Sequence, residues 1–322
     1  MGDVLAGFHA SWEFTSDSVL IRYERGIRTP KLFQALGERR IPVAAISGVS
    51  LTRGRRGTAV LRAEPRPGAD PLLEAAAGQL KEGCDPYRLV LPAERETLAE
   101  YYAEELRARL TETGPADRFL VDPPEAPLSF KAYDAKASFD GTTVRFRWFW
   151  TGASSAKWKA GDQSFRTAEL AGVEWRSPEV FEGHLRLLRR DAPADGRSPR
   201  PSIPAQPSMP LLSPAPPQPA RPAQPDQDPA AVVFGLGYGS VHESLPFAAA
   251  VLSAVRTSAP VPSGTPAGAA GAGMAVGGAA MGGRSDPADV AERIRHLGEL
   301  HRAGLVTDEE FAAKKAELLA EL

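Results

Sequence analysis

The chain has 322 residues, enough for two modest domains and their connections. Its 38 Lys and Arg nearly balance 40 Asp and Glu, for a formal net charge of −2. That excludes a global attraction to nucleic acid or to an anionic membrane and leaves only local basic patches to consider. A single cysteine, Cys84, excludes an intrachain disulfide and a cysteine-based zinc site, and fits a reducing, cytoplasmic setting.

The opening residues MGDVLAGFHASWEF have neither the basic start nor the apolar core of a signal peptide. The bias toward Ala, Arg, Gly and Pro over Lys suggests a GC-rich bacterial genome. Two segments are too poor in side-chain bulk or backbone donors to pack as domains. Asp191–Pro229 holds 13 prolines in 39 residues, which favours extended polyproline backbone. Pro260–Gly283 holds 15 glycines and alanines in 24 residues, a linker composition and not a membrane span.

Before the first of these segments, Phe8–Phe14 and Val19–Tyr23 read as strands from their alternation and β-branched content. Pro42–Leu51 and Thr58–Glu64 follow, joined by a turn at Arg53-Gly-Arg-Arg-Gly57, and Tyr87–Leu91 is the last strand. A helix is predicted over Glu94–Leu110, with Leu98, Tyr102, Leu106 and Leu110 on one face.

The same order returns about 125 residues later. Phe14, Val19, Ile21 and Tyr23 match Phe139, Val144, Phe146 and Trp148 in spacing, and Ile46-Ser-Gly-Val-Ser-Leu51 matches Leu170-Ala-Gly-Val-Glu-Trp175. Leu61 aligns with Leu187, and Asp85-Pro86 with Asp228-Pro229. A strand at Val232–Phe234 and a helix near Leu245–Val255, with Phe247, Val251 and Val255 in register, complete the second copy. Its proline-rich tract stands where the first copy has the loop Pro65–Gly83. A meander of strands closed by one amphipathic helix predicts a mainly β fold with α: two PH-like bent-sheet domains, each plugged by its C-terminal helix. An ordinary sandwich would leave those helices without a seat.

The expected division is residues 1–112 and 126–256 for the two domains, the second with a disordered insertion at about 191–229. A flexible linker at 257–285 and an α-helical hairpin at 286–322 follow. In the hairpin Asp286 is the N-cap and Pro287 the first helical residue, while Gly304 fits a left-handed C-terminal cap. Thr307-Asp-Glu-Glu310 is a capping box for the second helix. About 37 residues without disulfide or metal bury too little apolar surface to fold alone. The hairpin therefore docks on another copy, on the β domains or on a partner, and self-association is preferred. The residues expected to carry it are Ile294, Leu297, Leu300, Leu305, Phe311, Leu318 and Leu319.

Residues 286–322 closely resemble the SHOCT short C-terminal domain. Leu297-Gly-Glu-Leu300, Gly304-Leu-Val-Thr307-Asp-Glu-Glu310-Phe311 and Lys314-Lys-Ala-Glu-Leu318-Leu319 carry the resemblance. It implies association and not catalysis. The two β copies resemble an uncharacterised tandem PH-like family of high-GC bacteria, the domain of unknown function DUF4429, through Ile41-Pro42 with Ile46-x-Gly48-Val49 and Leu170-x-Gly172-Val173. Neither resemblance supplies a catalytic residue.

Other motifs read as structural. Gly235-Leu-Gly-Tyr-Gly239-Ser240 lacks the third glycine of a dinucleotide loop and is a strand-to-helix turn. Arg53, Arg55 and Arg56, like Arg186, Arg189 and Arg190, suit anion contact, or simply a solvated face. His9, His184, His242, His296 and His301 lack metal-ligand spacing and are expected on the surface or in hairpin packing. In Trp148-Phe-Trp150 one tryptophan face is buried and Phe149 points the other way.

The expected function is a non-enzymatic interaction or oligomerisation scaffold, with no cofactor, no metal and no small-molecule substrate. Its partner is protein, itself through residues 286–322, and nucleic acid is not expected. The alternative is peripheral binding of anionic membrane lipid through the basic turns.

Overall fold

Strands form here where every second side chain is apolar, and burial keeps that period. The computed structural model describes residues 3–190 and 224–258. In Ala10–Phe14 (β2), Ala10, Trp12 and Phe14 are buried while Ser11 and Glu13 reach solvent, as strand geometry demands. β2 lies between Asp3–Ala6 (β1) and Ser18–Tyr23 (β3), and Glu38–Pro42 (β4) completes an antiparallel sheet in the order β1-β2-β3-β4. Ile46–Arg53 (β5), Ala59–Pro65 (β6) and Arg88–Leu91 (β7) form a second antiparallel sheet. Helices Lys31–Leu36 (α1), Pro71–Ala76 (α2) and Glu96–Arg109 (α3) follow β3, β6 and β7.

The second copy repeats this plan. Leu128–Lys131 (β8), Ala135–Phe139 (β9), Thr143–Trp148 (β10) and Gln163–Arg166 (β11) make one sheet, with Ser155–Ala160 (α4) between the last two strands. Leu170–Arg176 (β12), His184–Arg189 (β13) and Ala231–Val233 (β14) make the other, and Val241–Ser258 (α5) ends the copy. The described fold is mainly β, in four antiparallel sheets.

Register carries the duplication into detail. Phe14 pairs with Val19, Trp12 with Ile21 and Ala10 with Tyr23; Phe139 pairs with Val144, Ala137 with Phe146 and Ala135 with Trp148. Both copies bulge at the same place, between Ile46 and Gly48 and between Leu170 and Gly172. Asp85 accepts from the Tyr87 N–H and from Arg62, and Asp228 accepts from the Ala230 N–H and from Arg186 in the same way. One alignment needs correcting. Leu51 pairs with Leu61 and Trp175 with Leu185, so the counterpart of Leu61 is Leu185 and not Leu187.

Local expectations shift for physical reasons. The strand expected over Pro42–Leu51 breaks at a single 3-10 turn, Val43–Ala45, which carries the chain from the first sheet to the second. The strand expected over Phe8–Phe14 begins only at Ala10, because His9 takes a left-handed φ of 69°. In α3 the buried face is Ala99, Tyr102, Ala103 and Leu106, while Leu98 is 43% exposed. A row spaced four apart drifts about 40° around a helix at each step, and the small Ala99 and Ala103 let the helix close on β5. The predicted loop Pro65–Gly83 contains α2, started by Pro71 with Asp70 as its N-cap.

Each copy has its own core, and the two are fused through copy one. Adjacent residues of α1 divide between them: Phe33 buries in the first core and Leu32 in the second. Leu72, Ala75 and Ala76 of α2 also bury in the second core. Gln79 donates to the Trp175 carbonyl at 3.0 Å and accepts from the Ser177 N–H at 2.9 Å, extending the junction. The connection between copies is pinned by buried Arg66, which donates to the carbonyls of Gly114 at 2.7 Å and Pro115 at 3.1 Å. The proline-rich insertion to residue 223, the linker from residue 259 and the hairpin expected at 286–322 lie outside the described residues.

Candidate functional site

The end of copy one where β3 leaves the sheet is built on a tight turn at Gly7–His9. A side chain at Gly7 would collide with the Val90 carbonyl, to which the Phe8 N–H donates at 2.7 Å. The His9 carbonyl accepts from the Glu24 N–H, and its ring lies 3.3 Å from the Thr29 hydroxyl. These bonds draw the loop 24–29 over the turn and leave Ile27 at its tip, fully exposed between exposed Arg25 and Arg28. Thr52, Val60, Val90 and Phe8 stand side by side, so the β5–β6 tip projects from this same end.

That tip brings Arg53, Arg55 and Arg56 together. Arg56 (φ 58°) and Gly57 (φ 75°) are left-handed, which turns the chain back sharply. Arg53 lies 3.7 Å from Glu96 with its side chain 91% exposed, a contact that water screens almost completely. Arg25, Arg28, Arg55 and Arg56 have no ion-pair partner among the described residues. The second basic group does not assemble in this way. Arg186 is held by Asp228 and Glu174, and Arg190 donates to the Leu170 carbonyl.

The equivalent end of copy two gathers exposed apolar side chains, beside exposed Glu179 and Glu182. Tyr133 stands where Phe8 does, its N–H donating to Val233 at 2.9 Å. Trp150 is exposed in the β10–α4 loop, Val180 and Phe181 at the β12–β13 tip, and Leu236 and Tyr238 in the turn before α5. Strand β10 stops at Trp148, so the exposed aromatic is Trp150, while Phe149 is half-buried. In the glycine turn, Gly235 and Tyr238 bond to each other's carbonyls and the Gly239 N–H donates to Lys131 at 2.8 Å, which leaves Leu236 at the apex. Ser240 donates to Glu243 at 2.8 Å, placing that carboxylate at the start of α5 where a bound anion would sit.

The helices that follow the two loops meet at their starts. Helix α1 packs on α5, and Lys31 at the start of one acts on His242 at the start of the other. Burial, and after it Lys31, holds His242 below the ordinary imidazole value against the pull of Glu243. Loops 24–30 and 235–240 immediately precede these helix starts, so they emerge beside each other.

Beneath the loops lie two buried polar clusters that the sequence reading missed. In copy one, Asp70 accepts from Arg39 and from the Tyr87 hydroxyl, both at 2.8 Å. Burial opposes the Arg39 charge, but Tyr87 and Asp70 outweigh it and keep the guanidinium firmly protonated. In copy two, Lys157 Nζ is 2.5 Å from Asp134, which also accepts from the Val233 N–H at 2.9 Å. Burial pushes the Asp134 pKa up and the Lys157 pKa down, and each charge resists the shift of the other. Neither side chain of this pair reaches solvent, so the pair fastens the Tyr133 turn to α4 and offers no atom to a substrate.

An open hollow of 440 Å³ lies between α2 and β12, but Arg256 and Arg186 engage the Glu74 and Glu174 carboxylates of its lining. His184, expected at the surface or in hairpin packing, is buried in β13 with Nδ1 2.8 Å from the Glu182 carbonyl. Among the described residues no three His, Cys, Asp or Glu side chains converge as metal ligands, and no helix is long and apolar enough to cross a membrane.

The family model for a domain of unknown function, DUF4429, matches residues 12–107 and again 137–252. The chain belongs to this family. The two DUF4429 matches fall on the two structural copies and include Ile27, Arg53, Arg55 and Arg56 in the first and Trp150, Phe181 and Leu236 in the second. A second model, the short C-terminal domain SHOCT, matches residues 292–319. That span contains Ile294, Leu297, Leu300, Leu305, Phe311, Leu318 and Leu319, all outside the described residues. A search of curated proteins finds no match to the chain.

Proposed function

We propose that the chain acts by binding and not by catalysis, as a scaffold whose fused DUF4429 copies present one loop-built surface and whose C-terminal segment multiplies it by self-association. One observation carries the reading. Among the described residues half of the exposed large apolar side chains, Tyr133, Trp150, Val180, Phe181, Leu236 and Tyr238, crowd the loop end of copy two. Scattered singly such residues need no explanation, but gathered at one end they mark a contact site.

Each copy is read as a PH-like bent sheet, a four-stranded and a three-stranded layer closed by α3 or α5. The order of strands and the closing helix support that reading. The segment 286–322 is read as a helical hairpin that is too small to be stable without a neighbour.

Light scattering of the full chain and of a chain ending before Asp286 tests the association. A multimer for the first and a monomer for the second is the expected result. Equal monomer masses would remove self-association from the proposal.

A further inference from the structure

We propose that the shared loop end is a membrane-contact surface whose ligand is an anionic lipid bilayer, with its apolar tips in the headgroup region and its arginines on the lipid phosphates. This rests on reading that end as a binding surface and adds the chemistry of the partner. Ile27 and Leu236 each stand at the apex of a turn and are as exposed as a residue in an isolated peptide, and Phe181 is 84% exposed at a third tip. Separate protruding fingers need a matching pocket each on a folded partner, whereas a fluid interface receives them wherever they fall.

Charge supplies the sign of that interface. Arg25 and Arg28 flank Ile27 on its own loop, and Arg55 and Arg56 occupy the neighbouring tip, all four without an acidic partner among the described residues. Glu24 is the acid of the Ile27 loop, and Glu96 is engaged only weakly, by Arg53. At the Phe181 tip Lys81 and Arg176 engage the exposed Glu179 and Glu182, so the unpaired charge of this end is the cationic charge of copy one. Cationic and apolar tips projecting together are what a surface of phosphates over acyl chains selects. The net charge of −2 over the whole chain means that the remaining surface is repelled by the same membrane, which orients the loop end toward it. Neither feature suffices separately, since a few arginines or one apolar tip gives only marginal, reversible attachment.

The test uses the full-length chain and vesicles of phosphatidylglycerol in phosphatidylcholine, with vesicles of phosphatidylcholine alone as the comparison. The expected result is co-sedimentation with the anionic vesicles at low salt, weakening as salt rises. Arg25→Gln with Arg28→Gln should weaken partition by about 25-fold, at about fivefold per charge. Ile27→Ser with Leu236→Ser should weaken it by about a hundredfold, at about tenfold per tip. Both pairs lie on exposed turns and should keep the far-ultraviolet spectrum of the parent. Absence of pelleting with anionic vesicles, or pelleting indifferent to both pairs, overturns the proposal. If anionic vesicles never pellet while the full chain scatters as a multimer and the chain ending before Asp286 as a monomer, the scaffold reading survives and the lipid reading falls. If vesicles never pellet and both lengths scatter as monomers, both fall.

Discussion

Removing the Asp70 carboxylate should unfasten the two copies, and its contacts set the size of the effect. One oxygen accepts from Arg39 at 2.8 Å and from the Leu72 N–H at 2.9 Å, and the other accepts from Tyr87 at 2.8 Å. The Arg39 and Asp70 side chains are 4% and 0% exposed, so water screens neither charge. In Asp70→Ala the guanidinium is left buried without a counter-charge, which costs about 3–5 kcal/mol. Loss of the α2 N-cap adds about 1 kcal/mol. The total of about 4–6 kcal/mol is a large part of a typical domain stability of roughly 5–15 kcal/mol. Because α2 carries Leu72, Ala75 and Ala76 into the second core, the loss should also loosen copy two. Asp70→Asn keeps the cap but strands the same charge, and should cost about 3–5 kcal/mol, less than Asp70→Ala by the cap alone. Arg39→Met with Asp70→Ala strands no charge and should recover part of the loss. Urea denaturation followed by ellipticity measures all three. A loss under about 1 kcal/mol for Asp70→Ala, or a double variant no more stable than the single one, would refute the reasoning.

Three further outcomes follow from the packing of the chain. Burial pushes the Tyr23 and Tyr87 hydroxyls above the ordinary tyrosine value of 10.0. The folded chain keeps these protons where the unfolded chain releases them, so stability is intact below that value and falls as pH climbs past it. Ultraviolet difference absorbance should show both hydroxyls ionising together with loss of ellipticity, and ionisation in the folded chain would contradict this. At Gly239 φ is +67° and a Cβ would strike the Phe234 ring, so Gly239→Ala should cost about 1–3 kcal/mol in thermal or urea melts. Gly237→Ala has open space, bears only the backbone penalty, and should cost less. Phe247 is buried against Phe130 and Phe139, and Phe247→Ala should cost about 3–5 kcal/mol, while Phe181→Ala should stay within about 0.5 kcal/mol of the parent.

Much of each copy was legible along the chain. Alternation located β2 and β-branched content β3, and the matching spacing of Phe14, Val19, Ile21 and Tyr23 with Phe139, Val144, Phe146 and Trp148 survives as identical strand register. Helix α1 was missed because six residues are too few for a 3.6-residue period to declare itself. Helix α2 did carry a signal, Asp70 followed by Pro71, which is an N-cap with proline at the first helical position. The basic tip Arg53–Arg56 was also visible. Its neighbours Ile27 and Phe8 were not, because exposure of a lone apolar residue leaves no pattern in its surroundings.

Strand order, the duplication and the closing helices were written in short-range pattern, since a period of two or of 3.6 reports which face an element must hide. What only the folded chain decided is how distant elements meet. Lys157 finds Asp134, Leu32 and Phe33 divide between two cores, and Lys31 comes to stand near His242. Those encounters depend on complementary packing between surfaces far apart along the chain, and no local period encodes which buried surface will meet which.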